Sequence, residues 1–229
     1  SFDGSYSLTD KYQVKINASK NFRTPTFNDL YWQPGGNLEL IPEKSYQLDF
    51  GNVLNIGAIS MQYNGYYIST KDMIKWLPNN DGVWSPINID DVEIYGAEAK
   101  IEANYSLGKN QELGIKTNYA YTVSEDKSTN EQLIYVPFHT ANGSLEYRIA
   151  DLNLFYQHLY NGSVSIVGGE LKEYQVANLG ATYTADILKK DLKYTIGVTI
   201  NNVFNTYYEN VALCPMPNRN IQTQLILNF

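Results

Sequence analysis

Apolar and polar residues alternate along most of the chain. In residues 219–229, RNIQTQLILNF, Ile221, Thr223, Leu225, Leu227 and Phe229 share one parity, while Asn220, Gln222, Gln224 and Asn228 take the other. Successive side chains of a strand point to opposite faces, so this stretch is a strand with one apolar and one amide-rich face. The same period predicts strands at residues 12–22, 44–52, 58–70, 91–106, 112–124, 138–149, 152–163, 172–185 and 192–202. Most exceed the roughly 5–6 residues of an average globular strand. No helix is expected.

The connections alternate in length. Residues 23–43, 71–86, 125–137, 164–171 and 203–218 are long, and the turns at 53–57, 108–110, 150–151 and 186–191 are short. Short turns at one end and long loops at the other are the pattern of an antiparallel transmembrane β-barrel. The fold expected is all-β, with residues 1–229 as one architectural unit. Ten strands and an unmatched opening segment, with Tyr6–Leu8 read as part of a preceding hairpin, predict the C-terminal part of a larger barrel. A self-closed ten-strand barrel is the alternative.

Composition narrows this further. Twenty Tyr against 8 Phe and 3 Trp fits either ordinary strand propensity or aromatic girdles at two membrane interfaces. A net charge of -7 argues against a nucleic-acid partner. The single cysteine, Cys214, cannot form an internal disulfide. No apolar run reaches the roughly 18 residues of a membrane-crossing helix, which leaves a barrel untouched. The opening residues lack the basic start and apolar core of a signal peptide, so residues directing export are expected upstream.

Two stretches carry a family resemblance. FRTPTFNDLYW (22–32) followed by GGNLELIPEKS (35–45) resembles the FRxPTFxxLY…GNPxLxPExS segment of TonB-dependent outer-membrane receptors. NNVFNTYYE (201–209), PMPNRN (215–220) and Phe229 resemble their closing segment, and VEIYGAEAKIEANY (92–105) resembles the intervening I-x-G-x-E strand. Asn218 stands where the pattern has Gly, and Leu40–Ile41 adds a residue before Pro42-Glu43. The resemblance implies a 22-stranded barrel filled by an N-terminal plug, of which these are about the last ten strands, in the outer membrane of a Gram-negative bacterium. The plug and its TonB box are not in this sequence.

By the same resemblance the protein is a receptor that imports a scarce chelate, most like the cobalamin branch, with ferric siderophores or haem as alternatives. A passive porin-like barrel is a further alternative. The implied partners are the TonB complex through the plug, the barrel-assembly machinery through Phe229 and the last strand, and a surface lipoprotein lid. Arg23, Pro25, Asn28, Glu43, Gly96, Glu98, Arg219 and Phe229 carry the motif and are expected to set loop and rim geometry.

No catalytic constellation is present, so no enzyme is expected. His139 and His158 lack a Cys or second His at metal-ligand spacing and read as wall residues. No cofactor is expected. Asn79-Asn80-Asp81-Gly82 with Asp90 and Asp91 faintly resembles a calcium loop but reads better as a polar turn. Glu98, Lys100 and Glu102 are expected to face the lumen. Trp32, Trp76 and Trp84, in or beside long loops, are candidate ligand contacts, with interface anchoring or loop packing as the competing role for each.

Overall fold

The computed structural model describes residues 1–186 and 193–228. The strands are β1 (Phe2–Thr9), β2 (Tyr12–Arg23), β3 (Glu43–Ile56), β4 (Ile59–Pro78), β5 (Trp84–Gly108), β6 (Gln111–Asp126), β7 (Glu131–Gln132), β8 (His139–Ile149), β9 (Leu152–Asn161), β10 (Val164–Ile166), β11 (Gly169–Leu171), β12 (Tyr174–Asp186), β13 (Lys193–Asn201), β14 (Glu209–Val211), β15 (Cys214–Pro215) and β16 (Asn220–Asn228). One helix, α1 (Phe27–Tyr31), follows β2. The wall strands hydrogen-bond in the order β1-β2-β3-β4-β5-β6-β8-β9-β12-β13-β16, with β7 attached to β6. Each hydrogen-bonds to the next in sequence once the short loop strands are set aside, as in an up-and-down barrel wall.

Three expectations are corrected. Among the described residues the wall has eleven long strands, not ten, because residues 2–9 form a full strand of their own. Phe2, Gly4, Tyr6 and Leu8 alternate with polar residues, and Tyr6 pairs with Val14. The β1–β2 turn is closed by Thr9, whose Oγ1 accepts from the amides of Lys11 (3.2 Å) and Tyr12 (3.1 Å).

Residues 71–86 are mostly strand. β4 runs 20 residues and β5 runs 25, leaving only 79–83 as connection. Asn79 makes that possible: its Oδ1 accepts from Asp81 and Val83, each at 3.0 Å, and Gly82 supplies a φ of 77°. Both strands exceed the roughly 9–11 residues that cross a bilayer.

A helix is also present. The Thr26 side chain accepts from the Asp29 amide while the Asp29 carboxylate accepts from the Thr26 amide, a reciprocal cap at the start of α1.

Two compact units divide the chain. One comprises residues 1–52, 64–97 and 122–136, the other 53–63, 98–121 and 137–229. In the first, Leu40, Ile74, Val92 and Leu133 are buried. In the second, Ala103, Val164 and Ala177 are buried, while Leu225 is 65% exposed and Ile221 69%. Leu179, Ile196, Val198 and Leu225 share one face, set by the pairings Leu179↔Ile200, Ala181↔Val198 and Ile196↔Leu225. An aqueous protein would bury such a face; a membrane barrel turns it to lipid. Tyr119 and Tyr160 lie on that face nearer the long connections, both opposite Ala141, and Tyr147 and Tyr183 nearer the short turns. Two aromatic bands therefore flank the aliphatic one, as the girdle reading of the tyrosine excess requires.

The alternate face carries Asn118, Asn142, Gln157 and Asn178, continued by Thr199 and Gln222. In a membrane barrel that face lines the lumen. Asn104 Oδ1 and the Glu146 Cβ both lie against the position a side chain on Gly114 would take on this side. The parity of Asn104 along β5 therefore places Glu98, Lys100 and Glu102 on the lumen face, with Lys100 3.0 Å from Glu102. Phe229 and the 187–192 turn lie outside the described residues.

Candidate functional site

The first unit gathers much of the 22–45 motif into one cluster. Arg23, at the end of β2, donates from Nε to Glu43 Oε1 (2.8 Å) and from Nη2 to Glu43 Oε2 (3.1 Å), a two-pronged pairing that a lysine cannot make. Arg23 Nη2 also donates to the Ile74 carbonyl (3.2 Å), and Glu43 Oε2 accepts from the Ile74 amide (3.0 Å). The pair thus fastens the loop between β2 and β3 to one point on β4.

Asp29 is the buried centre of the loop, only 5% exposed. It accepts from the Thr26 amide and hydroxyl, both at 2.8 Å, and from the indole Nε1 of Trp76 at 2.9 Å; Arg23 Nη1 stands 3.9 Å away. Burial pushes its carboxyl up, but the Thr26 donors, the Trp76 indole and the Arg23 charge together hold it below the usual carboxylate range. Asp29 was missed in the sequence, although Thr26-x-x-Asp29 is a visible capping signal.

The rest of the loop is stitched to the β4–β5 hairpin. Ser85 Oγ donates to the Gly35 carbonyl (2.7 Å), Asn37 Nδ2 to Pro86 (3.0 Å), and Asn88 exchanges hydrogen bonds with Ile41 (3.0 Å each way). A side chain at Gly35 would overlap the Trp84 carbonyl, and one at Gly36 the Leu30 carbonyl, so the glycine pair permits this contact. Pro25 is half-buried before α1, and Asn28 is exposed on α1, its carbonyl capping through the Trp32 amide (3.1 Å).

The three tryptophans separate. Trp76 lies within β4 rather than a loop, with its indole N–H committed to Asp29, and its ring meets Trp32 edge-on at 5.6 Å. Trp32 and Trp84 keep open surface, at 42% and 39% exposure. Gly96 and Glu98 sit in β5.

The second unit holds a recess of about 650 Å³ on the lumen face. Asn118, Asn142, Gln157, Asn178, Asn201 and Asn220 line it, one from each of six successive wall strands. Its rim is organised by Asn202, 3% exposed and at a φ of 50°. The Asn202 amide donates to Asn178 Oδ1 (3.0 Å), its Nδ2 donates to the Thr206 carbonyl (2.8 Å) and its Oδ1 accepts from the Thr206 amide (2.8 Å). Arg219 belongs to the same loop through its amide, which donates to Asn205 Oδ1 (2.9 Å). Asn202 falls inside the NNVFN motif, but single-strand periodicity gives no reason to choose it over its neighbour Asn201.

Both histidines sit on the lipid face. Tyr119 Oη pairs with His139 Nδ1 (2.7 Å), and Tyr156 Oη with His158 Nδ1 (2.8 Å). Among the described residues no group of three His, Cys, Asp or Glu is placed to hold a metal. In the 79–82 turn, Asn79 Oδ1 is already taken by backbone amides.

A family described as TonB dependent receptor-like, β-barrel, matches residues 1–203. The chain belongs to that family. Its members are receptors and transporters rather than enzymes, in the outer membrane of Gram-negative bacteria, and the exposed aliphatic face between two tyrosine bands is the physical counterpart in this chain.

The chain is 29% identical over 188 residues to the vitamin B12 transporter of Photobacterium profundum, covering 78% of this chain and 30% of that protein. It is 28% identical over 185 residues to the iron-regulated outer membrane virulence protein of Vibrio cholerae, covering 69% and 28%. Among solved structures it resembles the copper transporter OprC (TM-score 0.75, 20% identity, 97% of this chain and 38% of that one). It also resembles the ferric enterobactin receptor of Pseudomonas aeruginosa (TM-score 0.73, 19% identity, 97% and 39%). At these identities the structures establish the fold alone. The chain spans about a third of the length of the curated relatives it matches.

Proposed function

We propose that this chain is the C-terminal part of the barrel wall of a TonB-dependent receptor that imports cobalamin or a related corrinoid. The observation that carries this reading is the extent of similarity to vitamin B12 transporters from two species, which reaches 78% and 88% of the chain. A ferric siderophore is the second reading, favoured by the similarity to an iron-regulated outer membrane protein over 69% of the chain. Haem is a third ligand of the same general kind, and a passive porin-like barrel is the reading without energy coupling.

In the full-length receptor a plug would block the lumen and TonB would act on it from the periplasm. The barrel-assembly machinery would read the last strand, and a surface lipoprotein would serve as lid. Trp32 and Trp84, with open aromatic surface, would contact ligand; Trp76 would support Trp32 through their edge-on contact.

The test is equilibrium binding of cyanocobalamin and of a ferric tris-catecholate to the purified full-length receptor. Saturable cyanocobalamin binding is expected. Its absence at micromolar concentration would overturn the corrinoid reading.

A further inference from the structure

We propose that the outward face around Ala141 holds the phosphate of a membrane lipid. The site lies on β6, β8, β9 and β12, each paired on both sides in the wall, and further wall strands could add only at β1 and β16. It faces away from the lumen, so a plug leaves it open.

The polar atoms of this face form an ordered ladder. Tyr156 Oη meets His158 Nδ1 at 2.8 Å, and His158 Nε2 meets Gln175 Oε1 at 3.1 Å. A carbonyl oxygen only accepts, so His158 donates to Gln175, and the Gln175 NH2 group is left over at the end of the ladder. On the adjoining strands Tyr119 Oη meets His139 Nδ1 at 2.7 Å, which leaves His139 Nε2 over. The His139 ring is steadied by Tyr119 and Tyr121, with centroids 6.1 and 5.1 Å away. Tyr160, the partner of both Ala141 and Gln175, adds a hydroxyl. Gln175 Nε2, His139 Nε2 and Tyr160 Oη have no protein partner among the described residues.

The height of these groups selects the occupant. Tyr183 of the lower aromatic band is level with Leu152 and Ile149. Tyr160 lies eight residues along β9 from Leu152, and His139 lies ten along β8 from Ile149. At about 3.4 Å per residue and a strand tilt of about 40°, they stand about 21 and 26 Å above that level. The apolar band of a membrane barrel is about 25 Å tall. The internally paired part of the ladder, Tyr156 and His158, therefore lies within the hydrocarbon, where polar groups must satisfy one another. The three leftover groups lie at its edge, where headgroups begin. All three can donate, and a phosphate oxygen is an acceptor that carries charge, which strengthens each bond. The surrounding outward positions, Thr117, Ala141, Gly143 and Ala177, bring no carboxylate to repel it.

The experiment is native mass spectrometry of the full-length receptor, released from micelles doped with phosphatidylglycerol or with diacylglycerol of the same chains. The variants are His139→Phe/Gln175→Leu, which removes two donors, and Gln175→Glu, which keeps size and the His158 contact but repels an anion. Folding is checked by heat-modifiable gel migration. Wild type is expected to retain phosphatidylglycerol about tenfold or more over diacylglycerol. Each lost hydrogen bond weakens binding about two- to tenfold, so both variants should lose phosphatidylglycerol several-fold while retaining diacylglycerol as wild type does. Equal retention of the two lipids by wild type, or undiminished phosphatidylglycerol on the folded variants, overturns the proposal. So does displacement of the lipid by millimolar inorganic phosphate, which would make this a site for a free anion.

Discussion

The ring of Phe155 covers Gly180 on the lumen face of the wall. The two residues are direct partners across β9 and β12, and the ring occupies the space that a side chain at position 180 would need. The backbone of Gly180 is ordinary extended strand, so the glycine is required for room rather than for conformational freedom. Gly180→Ala is expected to cost about 1–3 kcal/mol through overpacking, read as a lower unfolding midpoint in urea. Phe155→Leu in the same chain should recover part of that loss. If the two effects simply add, the ring does not press on Gly180.

The Arg23–Glu43 pairing predicts how the loop between β2 and β3 responds to damage. Arg23→Lys keeps the charge but loses the fork that also reaches the Ile74 carbonyl. Limited proteolysis should cut residues 24–42 several-fold faster in Arg23→Lys and faster still in Glu43→Ala. Equal cleavage rates in all three proteins would show that the pair does not hold the loop.

Asp29 gives a pH prediction with a definite sign. Its folded pKa lies below the ordinary carboxylate value. The stability it contributes is therefore complete above about pH 3.9 and is lost only as pH falls through the lower folded value. Tryptophan emission should stay constant from neutral pH to about pH 4 and change only in stronger acid, as Trp76 loses its charged acceptor. Asp29→Asn should remove that acid step. A transition between pH 7 and pH 5 would contradict the assignment.

Asn202 combines a left-handed backbone with hydrogen bonds to Asn178, to Thr206 and, from Nδ2, to the Pro217 carbonyl (3.3 Å). Asn202→Ala loses the side-chain bonds and adds the strain of a positive φ, about 1–2 kcal/mol. Asn202→Gly loses the same bonds without that strain. Both should lower the unfolding midpoint, with alanine the worse of the two; the reverse order would mean the backbone conformation is not the one described.

Much of the architecture could be read directly. The two-residue period in residues 112–124 and, among the described residues, in 193–202 is the lipid-face and lumen-face alternation itself, because side chains in a strand have nowhere else to point. Strand ends were less legible. Residues 71–86, rich in Asn, Asp, Gly and Pro, read as a loop, yet pairing between β4 and β5 extends the ladder to Pro78 and Trp84. Local turn propensity is weak against a run of cross-strand hydrogen bonds. In residues 2–9, Gly4 and three hydroxyl residues dilute the pattern, and only pairing with β2 makes them a strand.

The sites divide in the same way. Sequence alone determined the alternating faces, the end at which the long loops lie, and the motif residues Arg23 and Glu43 as a set worth attention. Those properties depend on residue type and spacing along one strand. Only the tertiary structure decided that Asp29 is the buried acceptor for Trp76, 47 residues away. It also decided that Asn118, Asn142, Gln157, Asn178, Asn201 and Asn220 meet in one recess. Register between strands is settled by all the pairings of the wall at once, and no single strand carries it.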